Sequence, residues 1–104
     1  MIVLNIQSDD RKQLDEAAEL LLKERLVIDI NIRSDIERYT MKEGKVDKRM
    51  HHVMRARTKS LLFPTIEKLL RTQFKINMPE LFSVPIIHMD WDQTLQLRDD
   101  LEEV

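Results

Sequence analysis

The stretch VIDINIRSDIERYTMKEGKVDKRMHHVMRART, residues 27–58, decides the fold of this chain. Val27–Ile32 places an isoleucine at every second position, a pattern that predicts a strand. Residues 36–58 contain two further extended runs around Glu43-Gly44-Lys45. Because this glycine is the only one in the chain, we expect it to supply a positive φ at the turn of a long hairpin.

Helical and extended patterns alternate on both sides of this hairpin. Ile2–Ile6 reads as a first strand, and apolar residues at helical spacing predict an amphipathic helix over roughly residues 10–25. After the hairpin, a second helix is expected with Pro64 in its first turn, where a missing N–H costs little. Leu81–His88 reads as a fourth strand, and a short last helix is expected to begin at Asp90 or Asp92.

The resulting order, βαββαβ with an extra C-terminal helix, predicts an α+β, ferredoxin-like sandwich in a single domain, residues 1–104. In this arrangement Ile2–Ile6 and Val53–Ala56 should be the central strands. Both crossover helices would cover one face of the sheet. Because the strands carry apolar residues on both sides, we expect an uncovered apolar face that favours self-association.

Composition and charge exclude several classes of function. The 104 residues include no cysteine, which rules out a disulfide scaffold and a thiol nucleophile. The 17 basic and 19 acidic residues give a net charge of −2, so we expect neither nucleic acid nor membrane as a partner. No nucleophile elbow or glycine-rich phosphate loop occurs, so we expect no enzyme activity. No signal-peptide pattern opens the chain, and we expect a cytoplasmic location.

Several short segments follow one another in a distinctive order along the chain. Glu24-Arg25-Leu26-Val27-Ile28-Asp29-Ile30-Asn31-Ile32 precedes the turn Lys42-Glu43-Gly44, and Arg57-Thr58 ends the returning strand. Phe74-Lys75-Ile76-Asn77-Met78-Pro79-Glu80 comes later. In order and spacing, over roughly residues 15–97, these segments resemble the CutA family, the divalent-cation-tolerance proteins of the PII-like superfamily. The positions matched to the family include Arg25, Asn31, Gly44, Thr58, Pro79 and Glu80.

This resemblance implies a homotrimer and a binding or regulatory role connected with divalent cations, without catalysis. Its metal-ligand positions do not carry over. Where the family has a cysteine this chain has Asp29, and where it has the histidine of its signature this chain has Phe74, which cannot ligate a metal. A trimer that serves only as an assembly platform is a further possibility.

The three histidines of the chain, His51, His52 and His88, are the candidate metal ligands. Adjacent residues of a strand point to opposite faces, so the first two cannot easily bind one ion within one chain. Across a trimer interface, or with His88, one of them could. The alternative is that they are packed or surface histidines. We therefore expect at most a weakly bound divalent metal, copper or zinc, with an affinity on the order of 10 μM or worse.

Basic residues concentrate in the hairpin, which is the most unusual charge feature of the sequence. The candidate residues for an anion or an acidic partner are Lys42, Lys45, Lys48, Arg49, Arg55 and Arg57. One interpretation is a PII-like signalling module that binds an anionic ligand or a protein through residues 38–57. The other is a solvated hairpin whose charges pair with the acidic C-terminal tail of a neighbouring subunit.

Overall fold

A computed structural model describes residues 1–103 as four strands, three α-helices and one 3₁₀ turn. No helix in this range is long and apolar enough to cross a membrane. The elements in chain order are β1 (Ile2–Ser8), α1 (Arg11–Lys23), β2 (Ile30–Lys42), β3 (Lys45–Thr58), the 3₁₀ turn (Ser60–Leu62), α2 (Phe63–Gln73), β4 (Glu80–Pro85) and α3 (Trp91–Asp100).

The four strands form one sheet in the order β2-β3-β1-β4, with every neighbouring pair antiparallel. The predicted ferredoxin-like fold is therefore confirmed, and β1 and β3 are the central strands, as expected. Pro64 lies at the start of α2 as predicted. The Asp90 carboxylate accepts a hydrogen bond from the backbone N–H of Gln93, so Asp90 is the residue that caps α3.

The hairpin is longer than predicted, because β2 does not stop at residue 32. It begins at Ile30 and runs to Lys42, and a bulge between Arg33 and Ile36 joins what the sequence suggested were two separate runs. Asp35 in this bulge has a φ of 58°. A bulge adds a residue to one strand without ending the ladder, which is why the alternation of side chains is interrupted there.

The hairpin turn has the geometry predicted for it. Lys42 pairs with Lys45, and the two residues between them, Glu43 and Gly44, have φ angles of 52° and 76°. Two consecutive positive φ angles are typical of a type I′ turn, whose twist matches that of the two strands.

The core lies between the sheet and the first two helices. β1 and β3 contribute Leu4, Ile6 and Met54, which are completely buried. Leu14 and Leu21 of α1 and Ile66 and Leu70 of α2 are equally buried in the same cluster. The two helices therefore cover one side of the sheet, and the last helix completes the cluster with Leu97.

The other side of the sheet, here called the open face, is more polar than predicted. Paired strand residues share a face, so the register places Asn31, Arg55, Asn5 and Phe82 in one row across all four strands. The next row contains Arg33, Val53, Gln7 and Glu80. The expectation of a bare apolar face is therefore wrong for the middle of the sheet, where amides and arginines alternate with only a few apolar side chains.

Candidate functional site

The structure separates the three histidines. His51 lies on the open face, is 6% exposed, and its Nδ1 is 3.1 Å from the carbonyl oxygen of Ile36. His52 points to the opposite side of β3, and its buried Nδ1 has no hydrogen-bond partner. His88 is exposed and follows β4. Residues 1–103 contain no group of three or more histidine, aspartate or glutamate side chains arranged to hold a metal ion.

Half of the basic residues of the hairpin, four of the eight in β2 and β3, have an acidic partner in this chain. Lys48 lies 3.3 Å from the Glu37 carboxylate, and Arg49 lies 2.7 Å from the Asp47 carboxylate. Exposed pairs of this kind contribute only about 0–1 kcal/mol, so they fix the hairpin surface weakly. Both acidic partners belong to the hairpin itself. They neutralise part of the positive charge that, in one interpretation of the sequence, the acidic C-terminal tail of a neighbouring subunit would neutralise.

Lys42 and Lys45 are placed differently, at the exposed tip of the hairpin. They face each other across the turn and form no ion pair with any residue between 1 and 103. Two like charges directly opposite each other destabilise a hairpin slightly, and an anion bound at the tip would relieve that repulsion.

Arg57 has a structural role that its place in the basic run did not suggest. Its Nε is 3.1 Å from Oδ1 of Asp29 and its Nη2 is 2.5 Å from Oδ2, a bidentate pair. Its Nη1 also donates to Oε1 of Gln93 at 2.8 Å. The hydrogen bond to Asp29 is the main cause that raises the pKa of Arg57, and burial acts in the opposite direction. Arg57 thus fastens β3 to the start of β2 and to α3.

A cavity of about 590 Å³ occupies the open face between β1, β2 and β3. Its lining contains no carboxylate and is rich in hydrogen-bond donors. The lining residues are Asn5, Gln7, Asn31, Ile32, Arg33, Ile36, His51, Val53 and Arg55.

This cavity brings together one predicted anion-binding residue, Arg55, and one predicted metal ligand, His51. Arg33, Asn5 and Gln7 were not among the residues that the sequence pattern indicated. The signal that could have found the two amides is their alternation with Leu4 and Ile6 in β1, which puts them on the uncovered side. Arg33 could not be placed without the register of β2.

The positions matched to the family by sequence have structural roles at the ends of elements. Arg25 has a φ of 56°, and its Nε donates to the carbonyl oxygen of Asp100 at 3.2 Å. The completely buried Thr58 donates its hydroxyl to a backbone carbonyl, while Gly44 forms the turn and Asn31 lines the cavity. The buried Pro79 precedes β4, where Glu80 pairs with Arg38 at 3.0 Å.

Comparison with known proteins gives a consistent result. A family model described as CutA1 divalent ion tolerance protein matches residues 2–94. No curated protein sequence matches the chain significantly. CutA1 from Oryza sativa is 20% identical, with a TM-score of 0.87 over 99% of this chain and 94% of that chain. The divalent cation tolerance protein of Thermus thermophilus is 20% identical, with a TM-score of 0.84 over 98% of this chain and 100% of that chain.

A third similar structure, described as the periplasmic divalent cation tolerance protein CutA from Archaeoglobus fulgidus, is 19% identical and covers 98% of this chain and 100% of that chain, with a TM-score of 0.84. At such identities the structural likeness shows the fold alone, whereas the family model reports a sequence pattern. That pattern begins in β1 and extends into α3. The chain therefore belongs to the CutA1 divalent ion tolerance family.

Proposed function

We propose that this chain is a trimeric binding or regulatory protein connected with tolerance of divalent cations, and that it catalyses no reaction. The observation that carries the proposal is the family match over residues 2–94. Fold alone does not imply function, so further support for the role comes from the surface and side chains of this chain. We place the protein in the cytoplasm, and cell fractionation tests this, since the Archaeoglobus fulgidus protein is described as periplasmic.

The outer part of the hairpin supports the trimer. Tyr39, Met41, Val46 and Met50 share one face of it, by the pairing register, and their exposed fractions range from 48% to 69%. This face continues the helix-covered side of the sheet beyond the helices, so no part of residues 1–103 covers it. Exposed apolar patches of this kind mark interaction sites. The other face of this outer part of the hairpin is polar, so a second copy would pack against the apolar face only.

Light scattering tests the assembly. The monomer mass is 12.5 kDa, and we expect three times that value at micromolar concentration. Met41→Glu should lower the mass, because it places a charge in the apolar face of the outer part of the hairpin. Thr40→Glu is the matched control, since Thr40 is exposed on the opposite face of the same strand and should leave the mass unchanged. A wild-type mass of one chain would contradict the trimer.

Complementation tests the link with divalent cations. A bacterial strain that lacks its own CutA protein would be transformed with this chain, with Met41→Glu or with Thr40→Glu, and grown in graded Cu(II) or Zn(II). We expect the wild type and the Thr40 variant to restore tolerance, and the Met41 variant to fail if the trimer is the active form. Growth equal to the empty vector for all three chains would contradict the proposed function.

The second candidate function is a PII-like signalling module that binds an anionic ligand or protein through residues 38–57. The unpaired Lys42 and Lys45 at the hairpin tip favour it. A calorimetric titration with a nucleoside triphosphate separates this candidate from the first. Saturable binding that is lost in the double variant Lys42→Gln/Lys45→Gln would support it, and binding that survives this variant would exclude the tip as the site.

A further inference from the structure

A groove of about 610 Å³ lies on the helical side of the molecule, between α2, the end of α1 and the segment that follows α3. We call it the α2 groove. Its lining residues from α2 are Thr65, Lys68, Leu69 and Thr72. Because these residues recur three, four and seven positions apart, they form one stripe along the helix.

Two other chain segments form the wall opposite α2. The residues that they contribute are Glu24, Leu26, Glu102 and Glu103. The backbone of Glu102 is held at both of its polar groups. Its N–H donates to the carbonyl oxygen of Arg25 at 3.1 Å, and its carbonyl oxygen accepts a hydrogen bond from Nζ of Lys59 at 2.9 Å. The segment that carries two of the carboxylates is therefore anchored to the rest of the fold.

The floor of the α2 groove is apolar. Leu26 and Leu62 line it and are only 4% and 2% exposed. Leu69 of α2 is half-buried in the same lining. A ligand in the groove would therefore contact leucine side chains along part of its length.

The rim of the α2 groove is negatively charged. The carboxylates of Glu24, Glu102 and Glu103 line it together with one ammonium group, that of Lys68. None of these four groups forms an ion pair with a side chain between residues 1 and 103. Negative charge is in excess and has no partner in this part of the chain, so the complementary ligand is a cation.

The shape of the groove decides which kind of cation fits. Its carboxylates are not arranged to hold a metal ion, since residues 1–103 contain no group of three or more side chains placed to do so. The α2 stripe from Thr65 to Thr72 is about 10 Å long at about 1.5 Å per residue, which suits an extended chain with separated charges. The volume of about 610 Å³ is typical of sites for small molecules.

We propose that the α2 groove binds a linear aliphatic polyamine, whose methylene groups pack on the leucine floor while its ammonium groups pair with the carboxylates of the rim. Exposed ion pairs are weak, so the apolar contact is what makes binding saturable in salt. The inference goes beyond both candidate functions, because the groove contains no residue of the hairpin.

Calorimetric titration with spermidine tests the site at about 150 mM NaCl, where long-range attraction is screened. We expect saturable binding of one spermidine per chain. Mg²⁺ is the control for a compact cation, and trilysine is the control for a basic protein segment. Both should bind at least about fivefold more weakly, because neither presents an unbroken chain of methylene groups to the leucines.

A series of diamines separates the apolar contact from charge. 1,4-Diaminobutane and 1,8-diaminooctane carry the same charge and differ only in methylene groups. Burial of the additional methylene groups should raise the affinity of the longer diamine by about threefold or more. Equal affinities would show that the leucine floor takes no part in binding.

Matched variants locate the bound polyamine. Glu24→Gln/Glu102→Gln removes two charges from the rim and should lower the affinity for spermidine by about fivefold or more. Glu16→Gln/Glu19→Gln removes two exposed charges from α1 outside the groove and should change it by less than about twofold. Lys68→Gln removes the one competing ammonium group and should raise the affinity. Circular dichroism verifies that each variant folds.

Three outcomes would overturn the inference. Equal losses in the two double variants would show attraction to net charge without a site. Trilysine that binds as tightly as spermidine would identify a basic protein segment as the ligand. Absence of saturable spermidine binding to the wild type would exclude the groove as a polyamine site, whereas the trimer and the tolerance of divalent cations are decided by their own measurements.

Discussion

Replacing Thr58 with valine removes one buried hydrogen bond while leaving the volume of the side chain nearly unchanged. Thr58 is completely buried at the end of β3, and its Oγ1 donates to the carbonyl oxygen of Leu26 at 2.5 Å. Leu26 is itself only 4% exposed, so water cannot easily replace the lost donor. This bond fastens the connection between α1 and β2 to the central strand.

The expected cost follows from what the substitution leaves behind. Valine is close in size to threonine, so no cavity forms. The Leu26 carbonyl loses its donor, and an unsatisfied buried acceptor costs about 1–3 kcal/mol. For a domain of this size each kcal/mol lowers Tm by roughly 4–8 °C, so we expect Tm to fall by about 4–24 °C.

Thermal unfolding by circular dichroism, at one fixed chain concentration, measures this change, since the Tm of an oligomer depends on concentration. Thr65→Val is the matched control. Thr65 is exposed on α2, and valine and threonine have similar helix propensities, so stability should change by less than about 0.5 kcal/mol. If Thr58→Val were as stable as this control, the Leu26 hydrogen bond would not hold the connection in place.

Three further predictions concern the turn, the ion pair and the metal. Gly44→Val should cost about 1–2 kcal/mol because the residue has a φ of 76°, whereas Gly44→Asn should cost only a few tenths; equal melting temperatures for both would refute this. Asp29→Asn should cost about 0.5–1 kcal/mol in low salt and less in 1 M salt, because the pair is partly exposed; a denaturant series that shows no salt effect would count against it. Calorimetry should show Cu(II) or Zn(II) binding no tighter than about 10 μM, lost in His51→Ala or His52→Ala; a submicromolar stoichiometric site would overturn it.

The sequence by itself determined the order of the elements and the fold class. Alternation in Ile2–Ile6, helical spacing after it, a capping aspartate at position 90 or 92 and the lone Gly44 each act through neighbours within a few residues. Such local preferences are readable without knowledge of the rest of the chain. The order βαββαβ is compatible with few sheet topologies. In the ferredoxin-like topology strands one and three are central, and the sheet has this topology.

Only the tertiary structure decided which side chains meet. The bulge before Ile36 made β2 continuous and set its register against β3, and no local pattern announces a bulge. That register brought Arg33 and Asn31 beside Arg55 and Asn5, although these residues come from three strands that are far apart along the chain. It also gave Arg57 the carboxylate of Asp29 and left the histidines apart. Contacts between distant segments depend on strand pairing, and pairing is a property of the whole sheet that no single segment encodes.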